Sequence, residues 1–256
     1  MAYSFSLSLA ALDILLENLN LGRAPMPFVV PHIGTTVEER AHAREAVFRE
    51  LEGRRLAAHG RLDADAELML RTFVQAPVAI AAVAQLDGGR QLFARAATNG
   101  RFAVIAHRQD NALIFADIRT AAIVPSIVDL LPPVPPAGGQ SVTVANPAPQ
   151  RTRHARDEDA YDPFANVSAP RARTTASAQL RAVERIFQRP KLRIGQFTAF
   201  VNGSGPLSPT AWFDTPEGRY FVTTRAAEDG QSWMTYAPAD SHRIGQHLHT
   251  QLQGRS

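Results

Sequence analysis

The sequence predicts an α+β fold. It reads as a quasi-twofold repeat in which each half runs helix, four-stranded antiparallel meander, helix, and the meanders form a central antiparallel sheet with flanking helices. Three observations predict it. Short apolar runs are separated by turn sequences, Asp87-Gly88-Gly89 and Asn99-Gly100 foremost, where positive φ is tolerated. Capped amphipathic segments flank those runs. The same order of elements recurs after a Pro-rich connector.

Taken in order, Ser4 to Ser8 alternates polar and apolar and reads as a strand. Ser8 caps a helix through Leu19, with Leu9, Leu12, Leu15, Leu16 and Leu19 on one stripe, stopped by Gly22. Pro25 to Pro31 is an extended connector. Thr36-Val37-Glu38-Glu39 is a capping box, which opens a helix expected to reach Ala58 and end near Gly60. Asp63 caps the next helix, with Asp65 and Glu67 in its first turn, where the helix dipole favours them. Leu68, Leu70, Phe73 and Val74 form its apolar side, and Pro77 ends it. Four strands follow: Val78 to Gln85, Arg90 to Ala97, Arg101 to His107 and Ala112 to Ile118. Thr120 or Pro125 then opens a helix to Leu131; Pro125 favours a kinked or late start.

Pro132-Pro133-Val134-Pro135-Pro136 is a stiff connector, and Ser141 to Ala145 is a short strand. Residues 146–175 are poor in large apolar side chains and read as a flexible insertion. Ala178 to Gln188 is a helix with Leu180, Val183, Ile186 and Phe187 on one stripe. Strands are expected at Leu192 to Val201, Thr210 to Phe213, Arg219 to Thr224 and Ser232 to Tyr236, with turns at Asn202-Gly203, Asp214 to Gly218 and Glu228-Asp229-Gly230. Pro238 opens a last helix to Leu252, along the seam Ile244, Leu248, Leu252. The expectation is a single domain over 1–256, with halves of about 1–131 and 176–256 joined by a connector at 132–175.

A hydrophobic fraction of 45% suits a globular core, and the absence of cysteine excludes disulfides and thiolate chemistry. No basic segment precedes the first apolar run, and Asp13 and Glu17 interrupt it, so the expected location is the cytoplasm, with no membrane insertion. The net charge of +3 is uneven: residues 151–193 hold ten Arg or Lys against five Asp or Glu. That stretch keeps a nucleic-acid surface open as an alternative beside a solvated linker, although it lacks interleaved aromatics. No serine sits in a G-x-S-x-G elbow and no phosphate-binding glycine motif follows a strand. Gly203-Ser204-Gly205 reads as a hairpin tip. A triad assembled in space leaves a hydrolase as the remoter alternative. His242, His247 and His249 lack the four-residue spacing of paired helical ligands, and no metal or other cofactor is expected.

Four stretches carry a family resemblance: Phe5-Ser6-Leu7-Ser8 through Leu15; Leu21-Gly22 through Phe28 with Gly34-Thr35-Thr36-Val37-Glu38-Glu39-Arg40; Leu130-Leu131-Pro132-Pro133 with Gly138-Gly139-Gln140-Ser141-Val142; and Arg193-Ile194-Gly195-Gln196-Phe197 with Trp212-Phe213-Asp214-Thr215 and Gly218-Arg219-Tyr220. In their order and spacing they resemble the EspG family of chaperones of type VII (ESX) secretion in actinobacteria. The resemblance implies a non-enzymatic cytosolic protein that binds the apolar tip of a helical secretion substrate, a PE–PPE heterodimer or a related protein. Such a protein keeps its substrate soluble and targets it for export, as a monomer or homodimer, without nucleic acid. It implies binding through the exposed sheet face, C-terminal helices and the first meander loop, here Leu86-Asp87-Gly88-Gly89-Arg90. The substrate-binding candidates are therefore Asp87, Gly88, Gly89 and Arg90, with Gln196 and Trp212 on the second sheet.

Overall fold

The computed structural model describes residues 3–146, 178–201, 205–226 and 232–254. The turns expected at Asn202-Gly203 and Glu228-Asp229-Gly230, and nearly all of the 146–175 insertion, lie outside them. The chain is α+β, with a large antiparallel sheet and flanking helices. It divides into two compact units, one of Met1–Ala81, Leu92–Ile127 and Phe200–Ser204, the other of Ala82–Gln91, Val128–Ala199 and Gly205–Ser256.

In the first unit, β1 (Ser4–Ser8) leads into α1 (Leu9–Asn18). The Ser8 hydroxyl accepts from the Ala11 amide at 3.1 Å, as the cap requires. The helix ends four residues before Gly22: Asn20 takes φ 53°, and the Leu21 amide reaches back to the Leu16 carbonyl at 2.8 Å. α2 (Val37–Gly53) opens on the predicted capping box, with both reciprocal bonds between Thr36 and Glu39 formed. It stops well short of Ala58. Arg55 sits in the left-handed region at φ 60°, the Arg55 amide bonds the Glu52 carbonyl at 3.0 Å and the Leu56 amide bonds the Leu51 carbonyl at 2.8 Å. That is a Schellman ending, closed by the buried pair Leu51 and Leu56. The residues released form a two-stranded ribbon, β2 (Ala57–Ala58) with β3 (Arg61–Leu62).

α3 (Ala64–Gln75) is capped by the Asp63 carboxylate, which accepts from Asp65 and Ala66 amides. Its buried side is Ala66, Met69, Leu70, Thr72 and Phe73, whereas Leu68 is exposed. The meander is β4 (Val78–Gln85), β5 (Gln91–Thr98), β6 (Ala103–Gln109) and β7 (Ala112–Ile118), and β1 adds to it by pairing with β7. β6 starts at Ala103 rather than Arg101, because the Asn99 side-chain carbonyl binds the amides of Arg101 and Phe102 and holds both in the turn. The core is an aromatic chain: Phe5 stacks on Phe115 at 5.2 Å, Phe115 meets Phe73 edge-on at 5.2 Å, and Phe73 meets Phe28 at 5.5 Å. Arg95 is 5% exposed in this unit. It donates to the carbonyls of Phe73 and Met26, each at 3.2 Å, and lies over the Phe200 ring. Burial pushes its guanidinium down to about 10, which leaves it charged at neutral pH.

α4 (Ile123–Val128) follows a 3₁₀ turn at Thr120–Ala122. Pro125 is its third residue, where the missing N–H has no helical partner to lose.

In the second unit, β9 (Arg193–Val201), β10 (Thr210–Thr215), β11 (Gly218–Ala226) and β12 (Ser232–Pro238) lie side by side in that order, and β8 (Val142–Asn146) pairs with β12. One face, with Ala211, Phe213, Val222 and Tyr236, packs under Val183, Ile186 and Phe187 of α5 (Ala178–Gln188). The other carries Trp212 and Phe221, and Phe221 packs under His247 and Arg243 of α6 (Ser241–Gln253). Asp240 caps α6 through the Arg243 amide at 2.8 Å. Pro238 closes β12 instead of opening the helix. Every residue of β10 is buried. The order helix, four strands, helix thus occurs twice along the chain, α3 to α4 and α5 to α6.

Candidate protein-binding surface

The loop between β4 and β5 is built by two left-handed glycines, Gly88 at φ 65° and Gly89 at φ 78°. A Cβ on either would meet nothing within 4 Å, so conformation, not crowding, calls for glycine there. Leu86 is buried and its amide donates to the Arg90 carbonyl at 2.7 Å, which pins the base of the loop. Asp87, Gly88, Gly89 and Arg90 are all exposed.

Asp87 is the outer end of a chain of alternating charges within the second unit. Its carboxylate accepts from Arg193 Nε at 2.8 Å and Nη2 at 2.7 Å. Arg193 Nη1 also donates to Asp214 at 3.1 Å. Asp214 accepts from Arg219 Nε at 2.7 Å and Nη2 at 3.1 Å. Strand register makes this possible: Arg193 lies opposite Asp214 on β9 and β10, and Asp214 opposite Arg219 on β10 and β11. Side-chain exposure falls along the chain from 60% at Asp87 through 19% at Arg193 to 1% at Asp214 and 0% at Arg219. The hydrogen bond to Asp87 raises the Arg193 guanidinium above the ordinary arginine range, despite burial acting against it. Arg219 is further held by the Pro132 carbonyl at 3.0 Å, Ser241 Oγ at 3.1 Å and the Trp212 ring at 4.7 Å.

The other two candidates are not on an exposed face. Trp212 is 1% exposed and Gln196 is 5% exposed. Their backbone partners place them on opposite faces of the sheet, Trp212 opposite Gly195 and Phe221, Gln196 opposite Ala211. Helices flank both faces here, which is why neither side chain presents a surface. Gly195 explains how tightly Trp212 is held: a Cβ there would stand 2.8 Å from Trp212 Cζ2 and 2.7 Å from the Val83 carbonyl oxygen. An exposed apolar side chain, Leu192, is next in sequence to Arg193, with its amide on the Asp214 carbonyl at 2.8 Å. Sequence reading missed Leu192, Arg193, Asp214 and Arg219. The one signal available was that Asp214 and Arg219 bracket a tight turn.

In the described part of the basic stretch, Arg189, Lys191 and Arg193 are engaged internally, whereas Arg181 is exposed. Arg189 binds Tyr220 and Glu217, and Lys191 caps α5 by donating to the carbonyls of Phe187 and Arg189. A cleft of about 700 Å³ lies in the first unit beside α1 and the connector. Its polar wall is spent on structure, with Arg40 bound to Asp13, Glu17 and the Ile33 carbonyl. Among the described residues no cluster of three His, Asp or Glu is placed to hold a metal ion, and no helix is long and apolar enough to cross a membrane.

His247 Nε2 is buried without a hydrogen-bond partner among the described residues. Burial holds its imidazole, and that of His107, below the ordinary histidine value. The unfolded chain, at about 6.5, then takes up a proton first as pH falls. Stability from these two sites is therefore complete above about pH 6.5 and declines below it, by at most about 1.4 kcal/mol per pH unit for each group. The melting temperature should drop between pH 7 and 5.5, with a shallower slope in His247→Leu. An equal slope in that variant would assign the effect elsewhere.

A family model described as the EspG family matches residues 8–250. Among solved structures, the Mycobacterium tuberculosis type VII secretion chaperone EspG5, in complex with the PE25–PPE41 dimer, is similar at a TM-score of 0.61 and 13% sequence identity, covering 97% of this chain and 95% of that one. No curated protein matches.

Proposed function

From the premise that this chain belongs to the EspG family, we propose that it is a type VII secretion chaperone. In this reading it binds the apolar tip of a PE–PPE-like helical client in the cytoplasm, keeps it soluble and hands it to the export machinery. It uses no cofactor and performs no chemistry. The observation that carries the reading is a fold shared along nearly the whole chain with a chaperone solved while holding a PE–PPE dimer. The exposed loop Asp87 to Arg90 is the contact surface. Gln196 and Trp212 act beneath it as framework. The recurring helix, four strands, helix is the trace of duplicated halves.

Co-expression with each PE–PPE pair encoded in the source genome tests this. At least one pair should become soluble and co-purify with the chain at equal stoichiometry. A folded chain that retains none of them would overturn the proposal.

A further inference from the structure

We infer that the β4–β5 loop selects client surfaces bearing a carboxylate, through Arg90, because Arg193 cancels the charge of Asp87. The inference rests on the chaperone reading of the same loop and adds the chemistry of what the loop accepts.

By sequence the loop is neutral, with one acid and one base. The structure separates their fates. Asp87 is held by two bonds from Arg193, at 2.7 and 2.8 Å. Arg193 cannot turn away freely, since its third contact is Asp214 at 3.1 Å. Nor is its charge consumed there: Asp214 is already matched by the fully buried Arg219 through two bonds. The four charges cancel as two pairs, one buried and one at the surface. Arg90 is outside this balance. It is exposed and makes no ion pair or hydrogen bond from its side chain among the described residues. The charge the loop shows to a partner is therefore positive.

Leu192, half exposed at 50%, is next in sequence to Arg193. A cation on an exposed loop with no side chains at Gly88 and Gly89 fits the tip of a helical client that carries an aspartate or glutamate. Complementary charge at the rim of an interface raises discrimination and salt sensitivity more than it raises affinity. The Asp87–Arg193 latch has a second effect, which is to hold the loop in one geometry before the client arrives.

The probe is the PE–PPE pair that co-purifies with the unaltered chain. Binding is measured at low and high salt for full-length Arg90→Glu and Arg90→Lys. Amide exchange at Leu86, Asp87, Gly88, Gly89 and Arg90 is measured in Asp87→Asn, which leaves the buried pair intact. Arg90→Glu should weaken binding about tenfold or more and lose most of the salt dependence, while Arg90→Lys stays within about threefold. Replacing the matching client carboxylate with lysine should restore binding to Arg90→Glu. Exchange in the loop should accelerate about tenfold in Asp87→Asn. Unchanged binding by Arg90→Glu overturns the selectivity, and unchanged exchange in Asp87→Asn overturns the latch, in both cases leaving the chaperone reading intact. If no pair co-purifies with the unaltered chain, the chaperone reading falls and this inference falls with it.

Discussion

Asp214→Ala should destabilise the chain by about 3–5 kcal/mol, the cost of leaving a buried charge without its partner. The carboxylate is 1% exposed and Arg219 is fully buried. Removing it leaves the guanidinium with one carbonyl, one hydroxyl and the face of Trp212, none of which carries a negative charge. It also strips Arg193 of its inner anchor. Urea unfolding followed by tryptophan fluorescence reads the loss directly, because Trp212 lies against Arg219. The pair itself is a different matter from its breakage. Taking both charges out together, in Asp214→Ala with Arg219→Met, removes the desolvation penalty as well as the attraction and should recover most of the loss. An Asp214→Ala protein within about 1 kcal/mol of the parent would mean that water reaches Arg219 in solution.

The same network marks where sequence reading runs out. Signals confined to one turn of chain were legible. Thr36 and Glu39 close their box, Asp63 caps α3, and β4, β7 and α5 have the bounds their patterns predict. The end of α2 was not legible, because the left-handed residue that closes its Schellman motif is Arg55, where a glycine or asparagine would have given the signal. The pairing of β1 with β7 and of β8 with β12 was hidden for another reason: each joins segments about a hundred residues apart, and alternation within one strand carries no address for its neighbour. The charge chain depends on that kind of information. Arg193, Asp214 and Arg219 read as three scattered charged residues until the register of β9, β10 and β11 sets them in a row. The β4–β5 loop was legible as a turn in Asp87-Gly88-Gly89 and as a binding candidate only through the family resemblance, while its electrostatics, with Asp87 paired to Arg193 and Arg90 left over, needed the fold. Trp212 and Gln196 were candidates for the sheet face, with the core as the other reading of Trp212, and their burial was hard to read for a related reason. The run Thr210-Ala211-Trp212-Phe213-Asp214-Thr215 mixes polar and apolar residues, which resembles a half-exposed strand, yet all six are buried.

Trp212 offers the sharpest separation of framework from contact. Trp212→Ala should cost about 3–5 kcal/mol, the range for emptying a large aromatic site in a packed core. The neighbours cannot collapse into the space easily. Gly195 on β9 has no side chain to offer, and Phe221, opposite on β11, is already committed to His247 and Arg243. Arg219 would lose the ring beneath its guanidinium at the same time, so the loss should not be additive with that of Asp214→Ala. Trp212→Phe, which keeps an aromatic face under Arg219 and leaves a smaller void, should cost less and remain folded. If Trp212 is framework, the folded Phe variant binds the client within about threefold of the parent, since its effect on Arg90 is indirect. Arg90→Glu should give the reverse pattern, near-parental stability with weakened binding. A Phe variant that keeps its stability and loses the client would make Trp212 a contact residue reached through a rearrangement of α6.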